Sequence, residues 1–266
     1  MQREDYESLA ALEANLWWFA GMREVTAALL DPILPRNVDR TILDAGCGTG
    51  GNLTWLKTYA GNGEVIGIDL VTDALNFCTK QGTQNLAQAS VTHLPFLDSS
   101  FDLVTSFDVL VQLPKPDSDT TAIREMYRVL RPGGHVFVRV AAYDWMRSSH
   151  DEALGTQHRY GLPELERKLE HEGFRIRRST YANFTLFPLA ALNRLVLKRL
   201  GLTSKGSDVK PLPALLDGLF KLALASEGRW LRRDGASLPV GLSGICVAKK
   251  PVGKLLTGCR KSLLGV

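Results

Sequence analysis

Cysteine is sparse in this chain of 266 residues: there are four (Cys47, Cys78, Cys246 and Cys259), with no CxxC pair among them. That spacing offers neither a disulfide framework nor a zinc site. With no signal peptide at its start, the sequence leads us to expect reduced thiols in a cytoplasmic protein. No segment repeats at a period of about 20–50 residues, which excludes solenoids and propellers. The 12 prolines and 24 glycines follow no period, so no fibrous repeat is in view. No apolar run reaches the roughly 20 residues of a membrane span. The nearest candidate, 184–201, is interrupted by Arg194, Lys198 and Arg199 and kinked by Pro188. What is present is ordinary globular material, 45% hydrophobic and 23% charged, which excludes wholesale disorder.

The net charge of +4 hides an asymmetry. Residues 1–135 carry 10 Lys+Arg against 17 Asp+Glu, while residues 136–266 carry 22 against 11. Two readings stand side by side, a solvated helical face and a second half that meets something anionic. The basic residues are dispersed and form no aromatic-flanked run, which speaks against a nucleic-acid partner.

Apolar spacing predicts a helix from Tyr6 to Leu30 containing the aromatic cluster Trp17-Trp18-Phe19, closed off by Pro32 and Pro35. Strand and helix patterns then alternate. Strands are predicted at 41–45, 64–69, 101–107 and 135–141, with helices at 71–80 and 120–130, the second stopped by Pro132-Gly133-Gly134. This alternation implies a doubly wound, Rossmann-like α/β fold on a parallel sheet. A helix at 161–173 and strands at 174–181 and 241–248 follow. The last two strands are about 60 residues apart, far beyond a hairpin connection of about 2–5 residues, so two or three helices are expected as an insertion. We read one domain over 1–266, with an N-terminal helical cap at 1–35, a core at 40–181 and 241–249, and a helical insertion or lid at 183–235. For Phe184 to Gly201 an amphipathic lid and an interfacial helix resting on a membrane surface both stand.

The most informative segment is Leu43-Asp44-Ala45-Gly46-Cys47-Gly48-Thr49-Gly50-Gly51. Glycines between a strand and a helix let the chain turn tightly and let a ligand approach the main chain. Gly46, Gly48 and Gly51 satisfy GxGxxG and Asp69 follows at the distance of a ribose-binding acid, a pattern that also fits a nucleotide-dependent oxidoreductase. Asp44 argues the other way. A carboxylate just before the loop repels a pyrophosphate, and suits a ligand with no phosphate and a positive charge.

Asp44-x-Gly46-x-Gly48-x-Gly50 resembles motif I of the class I S-adenosylmethionine-dependent methyltransferases. In order after it, Gly67-Ile68-Asp69 resembles the family's second-strand acid and His93-Leu94-Pro95-Phe96 its segment before strand four. Ser100-Phe101-Asp102-Leu103-Val104 resembles that strand, and Val129-Leu130-Arg131-Pro132-Gly133-Gly134 the turn into strand five. The resemblance covers about residues 40–140 and implies a seven-stranded sheet with an antiparallel last strand. It implies S-adenosyl-L-methionine as cofactor, with Gly46, Cys47, Gly48 and Gly50 against its methionine part, Asp44 near that end and Asp69 on the ribose hydroxyls. Leu70 would pack on the adenine. Ser90 stands where the family often has an acid for the adenine amine. Phe107 and Asp108, at the end of strand four, would face the methyl group and the acceptor; for Asp108 the alternative is a cap on the following turn.

The outer segments resemble a bacterial small-molecule subgroup of these enzymes. Leu16-Trp17-Trp18-Phe19 with Arg23 resembles its "WWF…R" helix, and His150-Asp151 with His158-Arg159-Tyr160 its "HD…HRRY" segment. The acid-histidine pair often found after strand four is replaced here by Asp108-Val109-Leu110-Val111-Gln112. His150, His158, Tyr160 and Asp108 are therefore the catalytic candidates. A neutral imidazole takes a proton from a hydroxyl or ammonium near pH 7. The same His150, Asp151 and His158 also admit a loop-tying role, or a divalent metal, for which the spacing gives little support. His93, His135 and His171 read as structural.

Trp17, Trp18 and Phe19 are expected to cap the donor site or pack in the core. The aromatic and leucine side chains of the insertion would roof an apolar acceptor pocket, its basic residues receiving an anionic group. The partner implied is a small-molecule acceptor, methylated on oxygen, nitrogen or carbon: a metabolite, lipid or sugar intermediate. The competing readings are the oxidoreductase, a donor-binding module without catalysis, and a nucleic-acid methyltransferase. For the last, the amino-methylating (D/N)PP(Y/F) motif is absent after strand four.

Overall fold

The computed structural model describes Glu13 and residues 16–114, 117–194 and 213–252. Its elements run α1 (Trp17–Leu30), β1 (Ile42–Ala45), α2 (Leu53–Ala60), β2 (Val65–Asp69), α3 (Thr72–Lys80), β3 (Leu86–Gln88), β4 (Phe101–Phe107) and α4 (Ser118–Val129). They continue with β5 (Leu130–Ala141), α5 (Ser149–Leu154), α6 (Leu162–His171), β6 (Arg175–Ala182), α7 (Phe187–Leu192), α8 (Ala214–Leu231) and β7 (Ser243–Lys249). Residues 1–12, on which the predicted start of the first helix falls, and 195–212 of the insertion lie outside the described residues.

Seven strands form one sheet in the order β3-β2-β1-β4-β5-β7-β6. β1, β2, β3, β4 and β5 pair in parallel, and β7 runs antiparallel to both β5 and β6. The short apolar runs Ile42-Leu43-Asp44-Ala45 and Phe101–Phe107 make the middle of the sheet because both of their faces are covered. On one face Leu43, Val104, Val136 and Val138 pack with Ile123 and Met126 of α4 and Leu165 and Leu169 of α6. On the other, Ile42, Leu103, Phe137 and Ile245 pack with Val25 and Leu29 of α1, Leu56 of α2 and Leu231 of α8.

Two details differ from the expectation. The segment Pro132-Gly133-Gly134 lies within β5 as an irregular turn of the strand: Leu130 pairs with Phe101 and His135 with Leu103, so residues 131–134 loop out of register, and the Gly133 N–H donates to the Lys250 carbonyl at 2.8 Å. α8 is also more than an insertion: it packs along α1, burying Leu224 against Leu16 and Trp17. A Cβ added at Gly21 of α1 would run into Leu224, so glycine sets how closely these two helices approach.

The chain leaves β1 towards β2 and β3, then returns to place β4 on the other side of β1. The reversal opens a crevice beyond the carboxyl ends of β1 and β4, where ligands of such sheets bind. The glycine loop follows β1, Asp69 ends β2, and Phe107-Asp108 ends β4.

Candidate functional site

The glycine loop is pinned by its main chain. The Gly46 and Cys47 N–H groups both donate to the Ile68 carbonyl of β2, at 2.9 and 2.8 Å. Gly46, Gly48 and Gly50 all have positive φ (88°, 54° and 88°), and their surroundings separate their roles. A Cβ on Gly46 would collide with Val109, and one on Gly50 would lie 2.9 Å from Cys78 Sγ; at Gly48 nothing stands within 4 Å. The first and last glycines therefore let the loop close on its own protein. The middle one leaves open the space in front of the backbone.

Cys47 turns away from that space. A Cβ on Gly67 of β2 would lie 2.9 Å from its Sγ, and hydrogen bonding with Cys78 together with burial pushes its thiol far up. Its side chain supports the loop from beneath, so only its main chain is offered to a ligand.

Two carboxylates flank the opening. Asp69 accepts the Gly48 N–H on one oxygen and the Val71 N–H on the other, each at 2.9 Å. Every carboxylate oxygen has a second lone pair, so Asp69 retains acceptor capacity for two hydroxyls. Asp44 is only 1% exposed and accepts the Thr105 hydroxyl at 2.7 Å. Burial pushes its pKa up to about 7; the Thr105 hydrogen bond opposes the rise, the charge of Glu13 adds to it, Arg139 opposes it and Asp69 adds to it. A carboxyl held so far out of water favours a cation in front of it. Leu70, next to Asp69, is 65% exposed, a large apolar side chain at the rim. Ser90 shares a 2.7 Å hydrogen bond with the Thr92 hydroxyl and accepts the Thr92 N–H at 3.2 Å, which closes its own turn.

The structure adds a residue that the motifs did not supply. Arg139, on β5 and buried, lies between the rings of Trp18 (4.9 Å) and Phe107 (5.1 Å) and donates to Asp108 Oδ2 through Nε at 2.8 Å and Nη2 at 2.7 Å. Asp108 has φ 58° and donates its own N–H to the Arg139 carbonyl at 2.9 Å. A non-glycine residue in the left-handed region carries strain, which this pairing holds in place. The only sequence cue was a lone charge inside the apolar run of β5. Trp17, by contrast, packs on Phe220 of α8 at 5.0 Å, so the aromatic cluster is divided between the core and the crevice.

The other catalytic candidates lie in a scaffold of ion pairs. His158 faces Asp144 Oδ2 through Nδ1 at 3.0 Å and Glu164 Oε1 through Nε2 at 2.9 Å, so both ring nitrogens are engaged. Tyr160 is 1% exposed and donates to Asp119 Oδ2 at 2.7 Å, while Lys168 pairs with the same carboxylate. Arg159 grips both oxygens of the buried Asp151. Burial would raise the pKa of Asp151, but the hydrogen bonds and charge of Arg159 outweigh it and hold the carboxyl below the ordinary range. His150 belongs to α5, and its side chain lies outside the described residues. Among the described residues no group of three or more His, Cys, Asp or Glu is arranged to hold a metal ion.

A second strained residue stands at the end of β5. Tyr143 has φ 61° and its ring lies against Tyr181 (5.1 Å), Trp145 (5.8 Å) and Phe187 (5.7 Å). Sequence reasoning passed over this aromatic wall because its members come from three segments: the stretch after β5, β6 and α7.

Open space in front of Gly48, with the buried Asp44 and the half-buried Asp69 beside it at the sheet's switch point and no basic side chain on the loop itself, suits the class of protein that binds a cationic nucleoside. The comparisons with known proteins place the domain within that class. Residues 43–138 match the family model described as a methyltransferase domain. A fatty-acid O-methyltransferase from Mycolicibacterium smegmatis is 32% identical over 135 residues, covering 49% of this chain and 42% of that protein. A demethylmenaquinone methyltransferase from Lactiplantibacillus plantarum is 37% identical over 103 residues, covering 36% of this chain and 42% of that protein. The chain thus spans less than half the length of these relatives. The crystal structure of a Thermotoga maritima S-adenosylmethionine-dependent methyltransferase shares the fold, with a TM-score of 0.56 at 16% identity over 93% of this chain and 95% of that one. The chain carries a class I S-adenosylmethionine-dependent methyltransferase domain, whose cofactor is S-adenosyl-L-methionine.

Proposed function

We propose that the protein transfers the methyl group of S-adenosylmethionine to an oxygen, nitrogen or carbon of an apolar small molecule. The observation that carries the reading is the open space before Gly48, set between the buried Asp44 and the rim pair Asp69 and Leu70. In this reading the main chain of 46–50 receives the methionine part, Asp69 the ribose hydroxyls and Leu70 the adenine face. Ser90 shapes the adenine end through its turn. A dinucleotide would bring its pyrophosphate over Asp44, so the oxidoreductase reading is disfavoured by charge.

The cofactor supplies a methyl group already activated on a sulfonium, and the chain's task is to aim the acceptor and exclude water. Phe107 and Asp108 border that space. Arg139 fixes the orientation of Asp108, and Asp108 is the side chain we place beside the acceptor. His158 and Tyr160 are assigned a positioning role: they hold the loop after β5 against α4 and α6. No proton-accepting role is assigned to His150.

The acceptor is proposed to lie beyond Tyr143, under the insertion. The relatives named for fatty-acid and demethylmenaquinone methylation support an apolar acceptor. So do the exposed leucines of the insertion, Leu189, Leu192, Leu219 and Leu222, each more than half exposed. Residues 183–235 hold nine Lys+Arg against four Asp+Glu, which suits an anionic acceptor or contact with an acidic membrane surface. Among the described residues no helix is long and apolar enough to cross a membrane. A cytoplasmic location and a single domain with 1–35 as cap and 183–235 as lid belong to the same proposal.

The test is methyl transfer from radiolabelled donor to a panel of long-chain acids, quinols, sterols and hydrophilic amines. Label must pass to an apolar acceptor, and transfer must fall when Leu219 is replaced by Glu. Transfer confined to the hydrophilic amines refutes the apolar reading.

A further inference from the structure

The glycine loop already holds a carboxylate from its own chain. Glu13 lies ahead of α1, and its Oε2 accepts the hydroxyl of the buried Thr49. The Gly51 main chain supplies a further hydrogen bond, and the charges of Arg23 and Arg139 favour the ionised form against a burial that raises its pKa. The Arg23 guanidinium itself reaches the Gly51 carbonyl at 3.4 Å. A Cβ added to Gly51 would stand 2.7 Å from the Glu13 carboxyl carbon, so glycine at 51 is what makes the seat.

A hydroxyl, a main-chain donor at the turn into a helix and a nearby guanidinium form a set complementary to a carboxylate. S-adenosylmethionine carries one carboxylate, on the part expected against this loop. Two carboxylates cannot use one seat, and Asp44 and Asp69 already load the same loop with negative charge. We propose that the Glu13 side chain occupies the seat of the donor carboxylate, a latch which the donor displaces on binding. The inference rests on donor binding at this loop. The latch works against donors that bear a carboxylate and is indifferent to those without one.

Calorimetric titration with two ligands tests this: S-adenosylmethionine, and its decarboxylated form, which keeps the sulfonium and the ammonium. Glu13→Gln and Glu13→Ala should each bind S-adenosylmethionine at least threefold tighter than the unaltered protein. Affinity for the decarboxylated ligand should stay within twofold, with the thermal midpoint checked for each variant. Weaker binding of both ligands would show that Glu13 grips the ammonium, and overturns the latch. Equal tightening of both, or no change, overturns it too, the first by showing simple obstruction. Failure of every form to bind either ligand overturns the donor reading itself, which is a separate result.

Discussion

Asp44→Asn should stabilise the donor-free protein while it weakens donor binding. The carboxyl of Asp44 is 1% exposed, with Thr105 supplying its hydroxyl, and its pKa rises from an ordinary 3.8 to about 7. The unfolded chain releases this proton near its ordinary value and the folded one only near 7. Between those values the folded state binds more protons, so stability falls as pH rises, and above about 7 the loss is complete. At 1.36 kcal/mol per pH unit that loss is about 4 kcal/mol, an upper bound because buried sites relax. Asparagine keeps an acceptor for Thr105 and carries no charge, so it regains part of this, about 1–3 kcal/mol at pH 8. For a chain of this size the gain raises the melting temperature by roughly 2–4 °C per kcal/mol. Thermal unfolding without donor at pH 5 and pH 8 is the assay, and the variant's advantage must grow towards pH 8. S-adenosylmethionine binding by the variant should weaken about tenfold or more, since a charged partner to the cation is lost. A variant less stable than the parent at pH 8, with undiminished donor affinity, would refute the reasoning.

Gly48→Val should abolish donor binding, and Gly82→Val is its control. Both glycines have positive φ and nothing within 4 Å of an added Cβ, so only the ligand space distinguishes them in a calorimetric titration. Asp69→Ala should weaken donor binding by about 1.5–3 kcal/mol, measured the same way; an unchanged affinity would remove Asp69 from the site. Tyr160→Phe should lower stability by about 1–3 kcal/mol, because Asp119 loses a buried donor. Turnover per folded molecule should hold, and a variant that unfolds normally yet loses turnover would restore Tyr160 as a catalyst.

The sheet was legible wherever β-branched and aromatic residues ran together. Six of its strands follow from runs such as 101–107, where the prediction and the element coincide. The seventh, Leu86-Ala87-Gln88, is three half-exposed or exposed residues at the sheet edge and carries no pattern; only the family resemblance required it. The tight glycine loop was legible because glycines between a buried strand and a helix mark a sharp turn, and Gly46, Gly48 and Gly50 all have positive φ. The role of each glycine was not, since Val109 and Cys78 approach it from distant segments.

The acceptor side was less legible. His158, Arg159 and Tyr160 look like chemistry in sequence because they are polar and clustered. In the fold each has a fixed partner, in Glu164, Asp151 and Asp119, that no local pattern announces. Arg139 and Glu13 were passed over for the converse reason. Each is a single charge in an unremarkable stretch, and its significance lies in what the topology brings to it.

The central claim is that the loop between Asp44 and Asp69 binds a cationic nucleoside and not a dinucleotide. Calorimetric titration of the unaltered protein with S-adenosylmethionine and with NAD, in the same buffer at pH 8, tests it most directly. Saturable binding of S-adenosylmethionine that Gly48→Val removes, with no binding of NAD, is the expected result. Saturable binding of NAD, with none of S-adenosylmethionine, would contradict it.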